Sequence, residues 1–249
     1  MRIIISPAKK MIVDTDTIAC SGLPVFLEHT RRLMRKLQGL TLSGAQALWA
    51  CSDRLAEQNY RCLKAMDLER NLTPAILAYE GLQYQHMAPV VFTEEALGYV
   101  QEHLRILSGF YGVLCPLDGV VPYRLEMQAR LSVDGKKDLY DFWGGMLYEE
   151  LQRGNRDRMI INLASQEYAR AVAPFIKPED TFLSVVFAES IDGKLRQKGT
   201  RAKMARGEMV RFLAENLAFS PEAMKDFCVL GYRYREEWSD ADTCVFVQS

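Results

Sequence analysis

Short β-branched runs alternate along the chain with stretches of helical period. The run Ile3 to Ile5 ends at Ser6-Pro7, which predicts a buried strand that opens into a loop. Further strands are predicted at residues 159–163, 182–188, 229–234 and 243–247. Predicted strands therefore occur from the first residues of the chain to the last.

Helical spacing of apolar residues and capping signals mark the segments between these strands. Ser43 with Gln46 three places on is a capping-box pattern, and predicts a helix that runs through Leu48 and Trp49. A helix is also predicted to begin near Thr93, followed by two glutamates, and to carry Leu97, Val100, Leu104 and Leu107 inward. Residues 25–37, 138–151 and 203–217 have helical spacing, and Ser220-Pro221-Glu222 predicts the start of one more helix.

Strands and helices intermingle without a regular βαβ alternation, a repeat or a Pro/Gly/Ser-rich linker. We therefore expect a mixed α/β (α+β) fold over residues 1–249, a single compact domain with an irregular mixed β-sheet flanked by helices. With 249 residues, the chain is long enough to bury a substantial core.

Overall charge excludes a protein that coats nucleic acid non-specifically, because 31 basic residues face 32 acidic ones. Residues 194–211 are the exception, with seven cations against Glu208: Lys194, Arg196, Lys198, Arg201, Lys203, Arg206 and Arg211. A charge run of this kind is a solvated face or a patch that meets a polyanion. The strong asymmetry with the rest of the chain favours the patch.

Several chemistries lack their sequence signals. The chain has no Walker loop, no Gly-x-Gly-x-x-Gly, no Gly-x-Ser-x-Gly and no Cys-x-x-Cys pair, and its three histidines lie far apart. We therefore expect no cofactor and no metal site, although distant carboxylates can still converge on a weakly bound metal. The chain also lacks a secretory signal and a run of about 20 apolar residues, which favours a cytoplasmic protein with reduced cysteines and no membrane partner.

Two polar segments follow apolar ones in the first half of the chain. Ser6 and Lys9 lie where free backbone N–H groups and an ammonium can hold an anion, although a solvated turn has the same pattern. Gly109 and Gly112, three apart after a predicted helix, fit a tight hairpin of the helix-hairpin-helix kind or a simple helix C-cap. Arg105 and Arg124 are candidate phosphate ligands, and Glu126 is an alternative ion-pair partner for Arg124.

A third segment contains carboxylates near predicted element ends. Asp138 and Glu167 are acid–base candidates if they are buried together. Ser165 is placed to cap the helix that follows it, which is the simpler interpretation of that residue. With Ser6, Glu126 and Tyr140, these residues complete the set of catalytic candidates.

Five segments in this order resemble the peroxide stress protein YaaA family, also called UPF0246: residues 4–9, 103–118 with 122–127, 137–144, 161–168 and 203–207. The resemblance implies a cytosolic bacterial protein that limits free iron during hydrogen peroxide stress. It also implies a basic cleft and a helix-hairpin-helix-like element that bind DNA. The residues that we expect to contact DNA phosphates are Lys9, Arg105, Gly109, Gly112, Arg124, Lys194, Lys198, Arg201, Lys203 and Arg206.

Two hypotheses follow for the molecular activity, of which we prefer the first and keep the second as the alternative. The first is DNA binding that is largely independent of sequence and uses phosphate contacts, with no obligate protein partner evident. The second is an enzyme on a nucleotide or other phosphorylated substrate, with a pocket lined by Ser6, Lys9, Arg124, Glu126 and Glu167. One closed pocket formed by these five residues favours the enzyme, whereas an open basic groove favours DNA. Direct iron chelation is weaker, because few strong ligands are present.

Overall fold

A mixed β-sheet with a parallel centre organises the protein, which we describe from a computed structural model over residues 1–248. The strands are β1 (Arg2–Ile5), β2 (Lys10–Met11), β3 (Thr73–Pro74), β4 (Tyr79–Glu80), β5 (Leu104–Ser108), β6 (Gly112–Leu114), β7 (Gly119–Val120), β8 (Met159–Asn162), β9 (Thr181–Ile191), β10 (Lys194–Arg196), β11 (Tyr232–Tyr234) and β12 (Thr243–Gln248). The α-helices are α1 (Leu27–Gln38), α2 (Leu42–Trp49), α3 (Asp53–Lys64), α4 (Ala75–Ala78), α5 (Leu82–Met87), α6 (Glu94–His103), α7 (Leu139–Trp143), α8 (Met146–Gln152), α9 (Gln166–Ala169) and α10 (Gly199–Glu215).

Strand order in the main sheet is β11-β12-β9-β8-β1-β5-β6, with β10 paired to β9. The four pairings that join β12, β9, β8, β1 and β5 are parallel, whereas β6, β10 and β11 pair antiparallel with β5, β9 and β12. In the central strand β1, the side chains of Ile3, Ile4 and Ile5 are fully buried. A continuous β-branched run suits a central strand that is covered on both faces. The mixed α/β fold, with one domain and helices around an irregular sheet, is confirmed.

Most predicted strands are confirmed, and the helices show instructive differences. Leu104 and Leu107 do not continue α6, because Leu104 pairs with Ile3 and begins β5. The predicted helix at residues 138–151 is interrupted at Gly144, whose positive φ of 48° ends α7 before α8 begins. Thr41, rather than Ser43, caps α2 through its hydroxyl. The segment that begins at Pro221 is a 3-10 helix rather than an α-helix.

The location predicted for a helix-hairpin-helix-like element, around Gly109 and Gly112, is wrong. Residues 104–114 form a β-hairpin, in which Ser108 pairs with Gly112. Gly109 and Gly112 are both buried, so their backbone N–H groups do not face a duplex. A Cβ at Gly109 would lie 2.8 Å from the Leu125 carbonyl oxygen, so this glycine permits close packing against the segment that carries Arg124 and Glu126.

No helix within residues 1–248 combines the length and the apolar character needed to cross a bilayer.

Candidate functional site

A cavity of about 410 Å³ lies where the polypeptide leaves the carboxyl ends of two adjacent parallel strands. Ser6 follows β1 and Ser165 comes shortly after β8, and both line it. Crevices at the carboxyl ends of parallel strands are the common ligand sites of open α/β sheets. We call this space the strand-end cavity. Ser6, Lys9, Arg124, Glu126 and Glu167, the five residues of the second hypothesis, all line it.

Ser6 and Ser165 fix the floor of the strand-end cavity. The Ser165 backbone N–H donates to Ser6 Oγ at 2.8 Å, and Ser6 Oγ donates to Ser165 Oγ at 3.1 Å. Tyr84 OH donates to the Ser6 carbonyl oxygen at 2.9 Å. Ser165 occupies the N-cap position of α9, but its side chain does not cap the helix as expected. Within the described chain, no imidazole or carboxylate contacts the Ser6 hydroxyl, so the serines position a ligand better than they attack one.

Glu126 joins two cations on the opposite wall. Its Oε1 atom lies 3.0 Å from Lys9 Nζ and 3.5 Å from Arg124 Nη2. The alternative interpretation of Glu126, an ion-pair partner for Arg124, is therefore correct. The Lys9 side chain is 66% exposed, whereas that of Arg124 is only 14% exposed. Lys9 thus remains available to solvent at the mouth, and Arg124 is held deeper.

Helix α10 supplies two further cations, Lys203 and Arg206, because it packs unusually close to α5. A Cβ at Gly207 would lie 2.1 Å from the Gln83 carbonyl oxygen, so only glycine fits at this position. This contact places Arg206 beside Gln83 and Tyr84 on the cavity wall. The two helices therefore form one side of the site.

Three donor groups of the cavity lining are buried and find no partner among residues 1–248: Gln83 Nε2, Arg124 Nε and Arg206 Nε. Gln83 is only 6% exposed. A buried donor without an acceptor costs about 1–3 kcal/mol, more when it is charged. One acceptor of the lining, Glu126 Oε1, is also buried without a hydrogen bond to these residues, so the three donors outnumber it and indicate a ligand that chiefly accepts hydrogen bonds.

The charge of the lining is mixed but positive. Lys9, Lys10, Arg124, Lys203 and Arg206 face three carboxylates: Glu80, Glu126 and Glu167. Lys10 pairs with Glu80 at 2.7 Å, and Lys9 with Glu126. Desolvation lowers the pKa of Arg206, whose guanidinium forms no ion pair within the described residues. An anionic ligand would relieve this desolvated charge.

Glu167 is the best-placed proton-transfer group. Burial raises the pKa of its carboxyl above the ordinary value, and the nearby Glu126 raises it further. Glu167 Oε1 accepts the Gln128 backbone N–H at 3.2 Å, and this bond opposes the rise. A carboxyl in a cavity with a raised pKa is a candidate to exchange a proton with a ligand.

Buried tyrosines support the site from below. Tyr123 OH lies 2.7 Å from Ser108 Oγ and 2.9 Å from Tyr79 OH. Burial raises the pKa of Tyr123 to about 12, so its hydroxyl stays neutral. Burial likewise raises the pKa of Tyr79 and of Tyr84. The network fixes the wall that carries Arg124 without adding charge.

The other candidate residues do not line the strand-end cavity. Asp138 caps α7, with its Oδ1 accepting the Asp141 N–H at 2.8 Å. Tyr140 OH donates to the Glu167 carbonyl oxygen at 3.0 Å, so it positions Glu167 from behind. Arg105 donates to the carbonyl oxygens of Gln101 and Leu104. Gly109 and Gly112 pack in the core, Lys194 lies on β10, and Lys198 and Arg201 contact Glu189.

Sequence reasoning missed Gln83, Lys10 and Glu80 as cavity residues. A signal for Gln83 exists: it is a polar residue beside Tyr84 in a segment with many apolar side chains. In residues 1–248, no group of three or more His, Cys, Asp or Glu side chains is arranged to share a metal ion.

Comparison with known proteins extends along the whole chain. A family model described as peroxide stress protein YaaA matches residues 1–238. A UPF0246 protein of Pediococcus pentosaceus is 52% identical over 249 residues, which are 100% of this chain and 98% of the relative. A UPF0246 protein of Lactiplantibacillus plantarum is 54% identical over 247 residues, which are 99% of each. One from Agathobacter rectalis is 49% identical over 246 residues, 99% of this chain and 98% of the relative.

Proposed function

This chain belongs to the peroxide stress protein YaaA (UPF0246) family, and we propose that it serves the peroxide stress response as an enzyme on a nucleotide or other phosphorylated compound. The strand-end cavity holds the phosphate, and Glu167 is the group that transfers a proton. The five residues of the enzyme hypothesis, Ser6, Lys9, Arg124, Glu126 and Glu167, line one cavity, and this supports the proposal.

The observation that carries the proposal is the set of buried donors without partners. Arg124 Nε, Arg206 Nε and Gln83 Nε2 line the same cavity and have no acceptor within residues 1–248. Phosphate oxygens accept several hydrogen bonds at once and prefer guanidinium donors. A phosphorylated ligand therefore satisfies the donors and compensates the desolvated charge of Arg206.

Calorimetric titration with inorganic pyrophosphate and with nucleoside 5′-diphosphates tests the binding. We expect Arg206→Met to weaken affinity at least about tenfold, because a charge-assisted hydrogen bond contributes about 1.5–3 kcal/mol. Arg201→Met is the matched control, since Arg201 lies on the same helix but contacts Glu189 instead. Equal affinities for the two variants would contradict the proposal.

Turnover is a separate measurement. Phosphorus NMR of the bound nucleotides should show a product, and Glu167→Gln should slow its formation about 100-fold or more while leaving affinity within a few-fold. Binding without any product would show that the protein binds the nucleotide without catalysing a reaction, and would contradict the enzyme proposal.

DNA binding is a second candidate, favoured by the exposed lysines at the mouth of the cavity. The side chains of Lys9 and Lys10 are 66% and 72% exposed. Fluorescence anisotropy with single-stranded and duplex oligonucleotides over a salt series tests it. Each lost phosphate contact should reduce the slope of log K against log[salt] by about 0.7–0.9, so Lys9→Gln should flatten it. A slope that the variant leaves unchanged would exclude Lys9 as a phosphate contact.

Limitation of free iron, which the family resemblance implies, is proposed as a cellular consequence of this activity. Electron paramagnetic resonance of chelatable iron in peroxide-stressed cells tests the link. Cells that carry Arg206→Met should show the same high free iron as cells without the protein. A normal level of free iron in those cells would show that the iron effect does not depend on the cavity.

A further inference from the structure

A second cavity, of about 380 Å³, lies beside the strand-end cavity. The two share four wall residues, Lys9, Lys10, Tyr123 and Arg124. We call the second space the Trp49 cavity. A ligand held by the shared cations can therefore extend into both spaces.

The Trp49 cavity has a different chemical character from its neighbour. Leu37, Trp49, Leu63 and Met66 provide an apolar lining between α1, α2 and α3. Within the described chain no carboxylate lines it, whereas three line the strand-end cavity. The space therefore suits an uncharged, apolar group attached to an anion at the shared wall.

Trp49 adds a directional feature. The residue is 5% exposed, and its indole Nε1 finds no hydrogen-bond acceptor in the described part of the chain. A buried indole N–H usually has a partner, because an unmade hydrogen bond costs free energy. The orphaned donor indicates that the occupant presents an acceptor to the indole.

We infer that the Trp49 cavity binds the base of a nucleoside phosphate whose phosphates lie at Lys9, Lys10 and Arg124. This inference rests on the function proposed above and narrows its substrate class. A nucleobase has flat faces that pack on apolar and aromatic side chains, and its ring nitrogens and carbonyl oxygens accept an indole N–H. A sugar phosphate has hydroxyl oxygens that accept a hydrogen bond, but it lacks the flat faces.

Cys62 gives a direct readout of occupancy. Its thiol is exposed and lines the Trp49 cavity, whereas Cys228 is exposed and lines neither cavity. Mass spectrometry should follow alkylation of both by iodoacetamide in the presence of ADP, GDP, CDP or UDP. At least one nucleotide should slow alkylation of Cys62 about threefold or more at saturation and leave Cys228 unchanged. Pyrophosphate and ribose 5-phosphate, which carry no base, should protect neither.

The indole is tested by Trp49→Phe, which keeps an aromatic ring and removes the donor. Loss of one neutral hydrogen bond, about 0.5–1.5 kcal/mol, should weaken the affinity for the nucleotide that protects Cys62 about 2- to 10-fold. Affinity for pyrophosphate should not change. Trp238→Phe is the control, because Trp238 is partly exposed and lines neither cavity.

The failures of the two proposals are distinguishable. If pyrophosphate binds in an Arg206-dependent way but no nucleotide binds more tightly or protects Cys62, the base site is wrong and the phosphate site stands. If Trp49→Phe weakens pyrophosphate and nucleotide equally, Trp49 acts through the fold rather than on a base. If no probe binds at all, both proposals are wrong.

Discussion

Residues 194–206 of the basic segment lie in two environments. In its outer half, residues 194–201, Lys198 and Arg201 contact Glu189 at 2.6 and 3.4 Å. In its cavity half, residues 203–206, Lys203 and Arg206 line the strand-end cavity, and Arg206 Nε has no partner within the described residues. Cations that look alike in the sequence therefore differ in whether the fold gives them an acidic partner.

The neighbouring element decides whether a cation has an acidic partner. Glu189 lies on β9 directly opposite Arg196 of β10, so the hairpin delivers a carboxylate to the outer half. The cavity half instead faces α5, which offers the neutral side chains of Gln83 and Tyr84. Within this basic segment, Arg206 is therefore left without an acidic partner among residues 1–248, whereas Arg201 has one.

The largest expected effect comes from disturbing the helix contact that creates this difference. Gly207→Ala should lower the free energy of unfolding by about 1–3 kcal/mol, because the new Cβ would overlap the Gln83 carbonyl oxygen and force α10 away from α5. Urea denaturation measures this loss, and pyrophosphate affinity should fall with it.

Gly199→Ala on the same helix is the matched control. A Cβ there meets no described atom within 4 Å, so the substitution should be neutral or stabilise by about 0.4–1 kcal/mol. A loss of stability equal to that of Gly207→Ala would refute the close-packing explanation.

Removing a cation should have opposite effects on stability in the two halves. Arg206→Met should raise the free energy of unfolding by about 1–2 kcal/mol, because it removes a desolvated charge without a partner. Arg201→Met should lower it by at most about 1 kcal/mol, because Glu189 loses one of two partially exposed cations.

Chemical denaturation of both variants without ligand measures the two values. A decrease for both would mean that Arg206 is satisfied in the folded protein, and the comparison between the halves would fail.

The smallest expected effect concerns pH. Because the pKa of Glu167 is raised in the folded protein, its carboxyl gains a negative charge as pH rises through that raised value. Pyrophosphate affinity should then weaken a few-fold, about 0.5–1 kcal/mol, through repulsion. Glu167→Gln should remove this part of the pH dependence, which calorimetry at several pH values measures against the wild type.

Glu95→Gln is the control for that profile, because Glu95 is exposed on α6 and lies outside the cavity. Its profile should match the wild type. Identical profiles for all three proteins would show that Glu167 does not titrate near the ligand.

The parts of the fold that were predictable are those that local pattern determines. The run at Ile3 to Ile5 must be buried on both faces, and it forms the central strand. Leu104 illustrates the limit, because its spacing fits α6 equally well. Pairing with Ile3, about 100 residues away in sequence, decides in favour of a strand.

The candidate site was predictable where polar residues follow strands. Ser6 and Ser165 meet because β1 and β8 are adjacent and parallel. Arg206 could not be distinguished from Arg201 by sequence. They differ because Glu189, on β9, contacts Arg201. Gln83 enters the site through a helix contact that depends on Gly207, a relation that no local pattern contains.

Gly109 has a consequence for mutational scanning of this protein. A Cβ added at this buried position would lie 2.8–3.0 Å from backbone atoms of residues 125–127. Any larger residue there would displace this segment, and with it the Glu126 carboxylate and the neighbouring Arg124 guanidinium. On the function proposed above, a screen that scores survival under oxidants should therefore group this core position with the positions that line the strand-end cavity, although Gly109 does not line it.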